Sequence, residues 1–209
     1  MDRPPIKDNK TGVPLEHYGR LFTELEPTAA IARSGVRFDS ADERYLVRLL
    51  GREVEIPSKK LEPKFTDTGD ETDAATTILL GRLLLEGRLT ERNPARFLAY
   101  AEMPWGELYN ANFQGRCILR LAYGFGFAPA RFAQACESLG GTAIESNADA
   151  AYELEFVDGL MLRLMLWAGD DEFPPSSQIL FSDNFRFAFD AEDMAVVGDI
   201  LINTLKAVK

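Results

Sequence analysis

Two runs of alternating side chains constrain this chain more than any other feature. Tyr152, Leu154 and Phe156 alternate with Glu153 and Glu155, and Leu160, Leu162, Leu164 and Leu166 alternate with Met161, Arg163, Met165 and Trp167. A period of two places each parity on one face of a sheet, so the two runs predict a hairpin with one buried face. Asp158-Gly159 between them is turn chemistry. A two-residue turn would set Leu154 against Arg163. A three-residue turn over 157–159 sets Phe156 against Leu160, Leu154 against Leu162 and Glu153 against Arg163. The second register matches apolar with apolar and charge with counter-charge, so it is the expected one.

An earlier hairpin is expected around Gly51-Arg52, with Tyr45, Val47 and Leu49 on one parity. A type II′ turn would place Leu49 opposite Val54, Val47 opposite Ile56 and Arg48 opposite Glu55. Helices are predicted from the 3.6-residue period over Leu15–Glu26, from Pro27 to a cap at Gly35, and from a cap at Asp73 to Glu86. Further helices are expected over 111–123, over 129–139, and after Asp190 with Asp193 at its third position. Short strands are expected over 96–101 and 186–189. The fold class is therefore α+β: a mostly antiparallel sheet built from two hairpins and packed by five or six helices. Residues 1–14 are polar, with three prolines, and read as a flexible N-terminal arm ahead of a single domain over 15–209.

Charge narrows the function classes. The formal net charge is −10, and residues 66–209 hold eleven Lys/Arg against twenty-two Asp/Glu. That sign repels phosphate backbones, so nucleic acid is not an expected partner. No apolar run reaches the roughly 18 to 20 residues that span a bilayer, so no membrane partner is expected either. A small molecule or a protein is the partner class left, and the oligomeric state is open. Two cysteines, Cys117 and Cys136, form no disulfide framework, and a reducing, cytoplasmic setting is the simplest reading.

Most familiar chemistries are missing from the sequence. His17 is the one histidine, and there is no Gly-x-Ser-x-Gly elbow and no Walker A loop. Gly124-Phe125-Gly126 starts like a dinucleotide fingerprint but lacks the third glycine and a preceding strand. Both cysteines fall on predicted apolar helix faces, where a thiol is usually a small core side chain. Two cysteines are too few for an ordinary iron–sulfur cluster or a zinc cage.

Three segments stand out. Trp167-Ala168-Gly169-Asp170-Asp171-Glu172-Phe173-Pro174-Pro175 follows the strand that ends at Trp167. Asp170, Asp171 and Glu172 offer hard oxygen ligands for Mg²⁺ or Ca²⁺, or an acid and a base. Trp167 and Phe173 flank them and could close a pocket. The simpler reading is a solvated turn, since Asp and Gly favour turns and the prolines stop the strand. The segment 104–116 places Trp105, Tyr109, Asn112 and Gln114 around a helix start, with Arg116 able to assist anion binding there; ordinary capping with aromatic anchors is the plainer reading. Glu153, Glu155 and Arg163 share a sheet face, the pattern of a structural ion pair.

These same residues carry a resemblance. Gly106-Glu107-Leu108-Tyr109, Phe113-Gln114-Gly115-Arg116, Leu139-Gly140-Gly141 and the W-x-G-D-x-E-F-P run resemble an uncharacterised microbial family, domain of unknown function 3786. The resemblance extends over about residues 15–207. Some relatives in that family are described as iron–sulfur proteins or accompany corrinoid-dependent methyl-transfer systems. The resemblance implies no catalytic residues. This chain has no cysteine cluster and no Asp-x-His-x-x-Gly arrangement to supply a histidine to cobalt. The expected function is therefore a non-catalytic ligand- or partner-binding accessory protein linked to corrinoid-dependent methyl transfer. The alternative is a carboxylate-based, divalent-metal-dependent enzyme centred on 170–172.

Overall fold

The structure is a computed structural model that describes residues 11–88 and 96–208. The chain divides into two compact units, one formed by 1–47 with 53–88, the other by 48–52 with 89–209. The strand pairings among the described residues are antiparallel, and helices pack beside the strands, which makes the fold α+β. Among the described residues there are eight α-helices, two of them joined by a π-helical segment, against the five or six expected.

The first unit begins with α1 (Gly12–Thr23) and α2 (Pro27–Ser34). Helix α1 therefore starts inside the segment expected to be an arm, and residues 1–10 of that segment lie outside the described ones. Pro27 opens α2 and Gly35, at φ 65°, ends it, as proline at the first position and a left-handed glycine cap require. Strands β1 (Arg37–Asp39), β2 (Arg44–Leu49), β3 (Arg52–Pro57) and β4 (Lys64–Phe65) follow, then α3 (Ala74–Glu86). Asp73 caps α3 by accepting from the Thr76 N–H at 2.9 Å. Leu79, Leu80, Leu83 and Leu84 of α3 are buried, and the Phe22 and Tyr45 rings meet edge to face at 5.7 Å.

The turn between β2 and β3 differs from expectation by one residue. Leu50 and Gly51 are its central pair, both at positive φ (46° and 78°), the signature of type I′ rather than II′. The Ser58 N–H bonds Glu43 O at 2.8 Å, which shifts the pairing by two residues from the expected register. An even shift preserves parity, so Tyr45, Val47, Leu49, Val54 and Ile56 are still all buried. Arg48 pairs with Glu155 at 2.9 Å instead of Glu55, and Glu55 is held by Arg44.

The second unit runs β5 (Phe97–Ala99), a 3₁₀ turn (Tyr100–Glu102), α4 (Gly106–Phe113), a π-helical segment (Gln114–Ile118), α5 (Leu119–Phe125) and α6 (Pro129–Ser138). It continues through β6 (Thr142–Ala143), β7 (Ala150–Val157), β8 (Leu160–Trp167), β9 (Ser176–Ser182), α7 (Phe185–Ala188) and α8 (Ala191–Ala207). The strand order is β7-β8-β9-β5, with β6 also on β7. In place of the strand expected over 186–189, Phe185–Ala188 form one turn of helix, with the Phe189 N–H donating to Phe185 O before the chain turns into α8. Asp190 and Asp193 cap α8 reciprocally, Asp190 accepting from the Asp193 N–H at 2.9 Å.

The β7–β8 hairpin keeps the expected register below its tip, with Leu154 opposite Leu162 and Glu153 opposite Arg163. The tip itself differs. Val157 pairs with Leu160 across a two-residue Asp158-Gly159 turn, and the extra residue is a bulge at Phe156 within β7. The pairing of Phe156 with Leu160 is corrected accordingly. Leu160, Leu162, Leu164 and Leu166 are all fully buried. Each such side chain contributes about 1.5–3 kcal/mol relative to exposure. On the other face Arg163 bonds Glu153 at 2.7 Å and lies 3.9 Å over the Phe97 ring.

Candidate functional site

Strand β5 covers only the last three residues of β9, since Phe97, Leu98 and Ala99 pair with Ser182, Phe181 and Leu180. The chain then leaves the sheet into the 3₁₀ turn. This departure opens a cleft of about 370 Å³ beside the first half of β9. Ser177, Gln178 and Ile179 form one side, Ala99, Tyr100 and Ala101 the end, and Asn110, Phe113, Gln114 and Ile118 the opposite wall, with Trp167 at its rim.

The walls are rigidly built. The Tyr100 ring stacks on Phe113 at 4.0 Å and 1°, and its hydroxyl donates to Ala191 O at 2.7 Å. Burial pushes the Tyr100 phenol up to about 12, with the nearby Cys117 adding to it, so it stays neutral. Ser177 ties the strand to the helix by donating to Ile118 O at 2.8 Å. That carbonyl lies in the π-helical segment 114–118, where the irregular helix turn alters the i→i−4 ladder. Trp167 is fixed by its indole N–H, which donates to Asn147 O at 3.1 Å.

The polar side chains of the cleft that have no partner of their own are carboxamides. Among the described residues, Asn110, Gln114 and Gln178 make no side-chain hydrogen bond within the chain. No lining residue carries a formal charge. The lining thus presents several donors and acceptors and no charged side chain, which suits a neutral ligand that also hydrogen-bonds.

Of the residues singled out by sequence, the cleft brings together Gln114 and Trp167. Trp105 and Tyr109 are exposed near the start of α4, and Asn112 is exposed on it. Arg116 sits in the π-helical segment and pairs with Asp199, which also holds Arg120. Asn110 lies within the segment 104–116 but was not marked, and Gln178 was missed. The signal for Gln178 was its parity: it points opposite to Ile179 and Phe181, which are buried.

The acidic turn is built on its own backbone. One Asp170 carboxylate oxygen, Oδ1, accepts from the Phe173 and Glu172 N–H groups at 2.7 and 2.8 Å. Those bonds, Phe173 first, hold its carboxyl below the ordinary value. Asp171, Glu172 and Phe173 are exposed, and none of 170–173 lines the cleft. Among the described residues no three His, Cys, Asp or Glu side chains gather as a metal-holding set. The turn docks on the end of α5: the Gly169 N–H donates to Gly126 O at 3.1 Å. The segment read as an incomplete dinucleotide fingerprint is therefore the seat of this turn.

A model of the family described as Domain of unknown function (DUF3786) matches residues 26–204. The chain belongs to that family. No curated protein and no solved structure matches it. The two cysteines give no support to the iron–sulfur chemistry that the resemblance implied. Cys117 and Cys136 are buried, and burial first of all pushes both thiols up to about 12, far from the thiolate a cluster needs. No helix among the described residues is long and apolar enough to cross a membrane.

Proposed function

We propose that this protein is a non-catalytic binding protein whose ligand sits in the cleft between β9 and the π-helical segment. One observation carries the reading: Asn110, Gln114 and Gln178 all line a cleft that has no charged lining residue, and none of the three side chains has a hydrogen-bond partner among the described residues. Carboxamides are poor general acids, bases and nucleophiles, so such a site recognises rather than reacts. Its volume lies at the small end of ligand cavities, which run from roughly 300 to 1,000 Å³. The setting in this reading is cytoplasmic, with a small molecule or a peptide as partner. An accessory role in corrinoid-dependent methyl transfer comes from the family resemblance and adds no residue role.

Fluorescence tests the reading. The chain has two tryptophans, so Trp105→Phe leaves Trp167 as the one reporter. A panel of neutral amides such as benzamide, nicotinamide and N-acetylglycinamide is expected to change its emission saturably, and the change should vanish in Gln114→Ala. A response that stays linear for every compound would contradict the reading.

A further inference from the structure

An exposed apolar stripe runs along the outward face of α4, the π-helical segment and α5. Trp105, Leu108, Leu119, Tyr123 and Phe127 belong to it, each between 51% and 73% exposed. With Asn112 and Gly115, also exposed, they follow one another at intervals of three or four residues, the spacing that keeps side chains on one face of a helix. The opposite face carries Phe113, Cys117, Leu121 and Phe125, all buried. Phe127 extends the stripe onto the acidic turn: a Cβ on Gly169 would lie 2.9 Å from Phe127 Cε1, and Phe173 of that turn is 67% exposed. These six large side chains leave on the order of 800 Å² open, at roughly 200 Å² for each when fully accessible. The largest apolar patch of a protein that stays single is usually about 300–600 Å².

We propose that this stripe is the contact between two copies of the chain, packed antiparallel about a two-fold axis beside Gly115. Three observations select a second copy. The open area matches the roughly 800 Å² per partner of a standard stable interface. The order of side chains is self-complementary, as a two-fold contact requires. An axis beside Gly115 sets Asn112 against Leu119 of the other copy, Leu108 against its Tyr123 and Trp105 against its Phe127. A Cβ on Gly115 would meet nothing within 4 Å, so the two backbones can approach closely at the crossing. Charge is the third observation. No Asp or Glu occurs from Leu108 through Phe127, and Arg116 and Arg120 are both paired with Asp199. In a chain of net charge −10, this face lets two copies meet with their carboxylates left at the rim. The contact stands apart from the cleft, whose Asn110, Phe113, Gln114 and Ile118 form the side of the helix toward β9.

Sedimentation velocity of the full chain from about 1 µM to about 300 µM tests the contact. A concentration-dependent dimer is expected. Leu119→Glu/Tyr123→Glu should raise its Kd by about thirtyfold or more, the loss typical of central interface side chains. Both positions are exposed, so circular dichroism and urea unfolding should match the parent. Met165→Glu is the control, since alternation puts it on the sheet face away from the buried Leu164 and Leu166, and it should leave the Kd unchanged. A chain that stays monomeric over the whole range overturns the proposal and leaves the stripe to a partner of another kind. A dimer that survives Leu119→Glu/Tyr123→Glu, or that Met165→Glu breaks instead, overturns it as well, because the contact then lies on another face.

Discussion

Gly169 donates its backbone N–H to the carbonyl of Gly126 at 3.1 Å, and this bond seats the most distinctive segment of the chain. The approach is close enough to require glycine on both sides. A Cβ on Gly126 would lie 2.1 Å from Pro175 Cβ, and one on Gly169 would lie 2.7 Å from Pro175 N. The W-x-G-D-x-E-F-P run and the Gly124-Phe125-Gly126-Phe127 helix end are thus two halves of one joint. Trp167, at the head of that joint, forms the rim of the cleft.

Gly126→Ala is expected to destabilise the fold by about 1–3 kcal/mol, the usual penalty for overpacking a tight contact. Urea unfolding measures it. The resonances of Trp167 to Pro175 should shift while those of α8 stay in place. A variant as stable as the parent would mean that the turn is not clamped there.

Asp170 gives the turn a pH dependence. Its folded pKa lies below the ordinary 3.8 because the Phe173 and Glu172 N–H groups stabilise the carboxylate. A depressed folded pKa contributes stability that is fully present above the unfolded value and lost as pH falls through the folded one. The Glu172 and Phe173 amide shifts should therefore report one transition with a midpoint below 3.8, absent in Asp170→Ala. Calorimetry with Mg²⁺, Ca²⁺ and Mn²⁺ should give no saturable heat. Saturable heat that disappears in Asp170→Ala would favour the carboxylate-metal enzyme instead.

Both thiols should behave as core side chains. Burial raises Cys117 and Cys136 from 9.0 to about 12, and Sγ of Cys117 donates weakly to Ala195 O at 3.6 Å. A raised folded pKa contributes stability below the unfolded pKa that is lost as pH climbs toward 12. Unfolding free energy should therefore decline from about pH 9 upward. Labelling with a disulfide reagent at neutral pH should be limited by opening of the fold. Fast stoichiometric labelling of the native protein would contradict this.

The local signals were legible where one residue type has one physical use. Pro27, Gly35, Asp73, Asp190 and the two hairpins are of that kind: capping and period-two burial leave little choice of conformation. The misses lay where two local solutions reach the same pattern. A bulge at Phe156 with a two-residue turn gives the same lower register as a three-residue turn, and a two-residue shift of β2 against β3 keeps the same faces buried. The cleft was only half legible. Gln114 and Trp167 carried a visible signal as parts of distinctive segments. Their meeting with Gln178 depends on where β5 ends, which is a tertiary fact with no mark in the local sequence.

The central claim is that a neutral, hydrogen-bonding ligand occupies the cleft of Asn110, Gln114 and Gln178. Crystals soaked with a set of neutral amide fragments test it most directly. Fragments are expected between Gln114 and Gln178 against Trp167, and should be missing in the Gln114→Ala/Gln178→Ala double variant. Fragments that gather at Asp170–Phe173, or in the groove of about 680 Å³ beside Ala130 and Tyr152, with this cleft left empty, would contradict it.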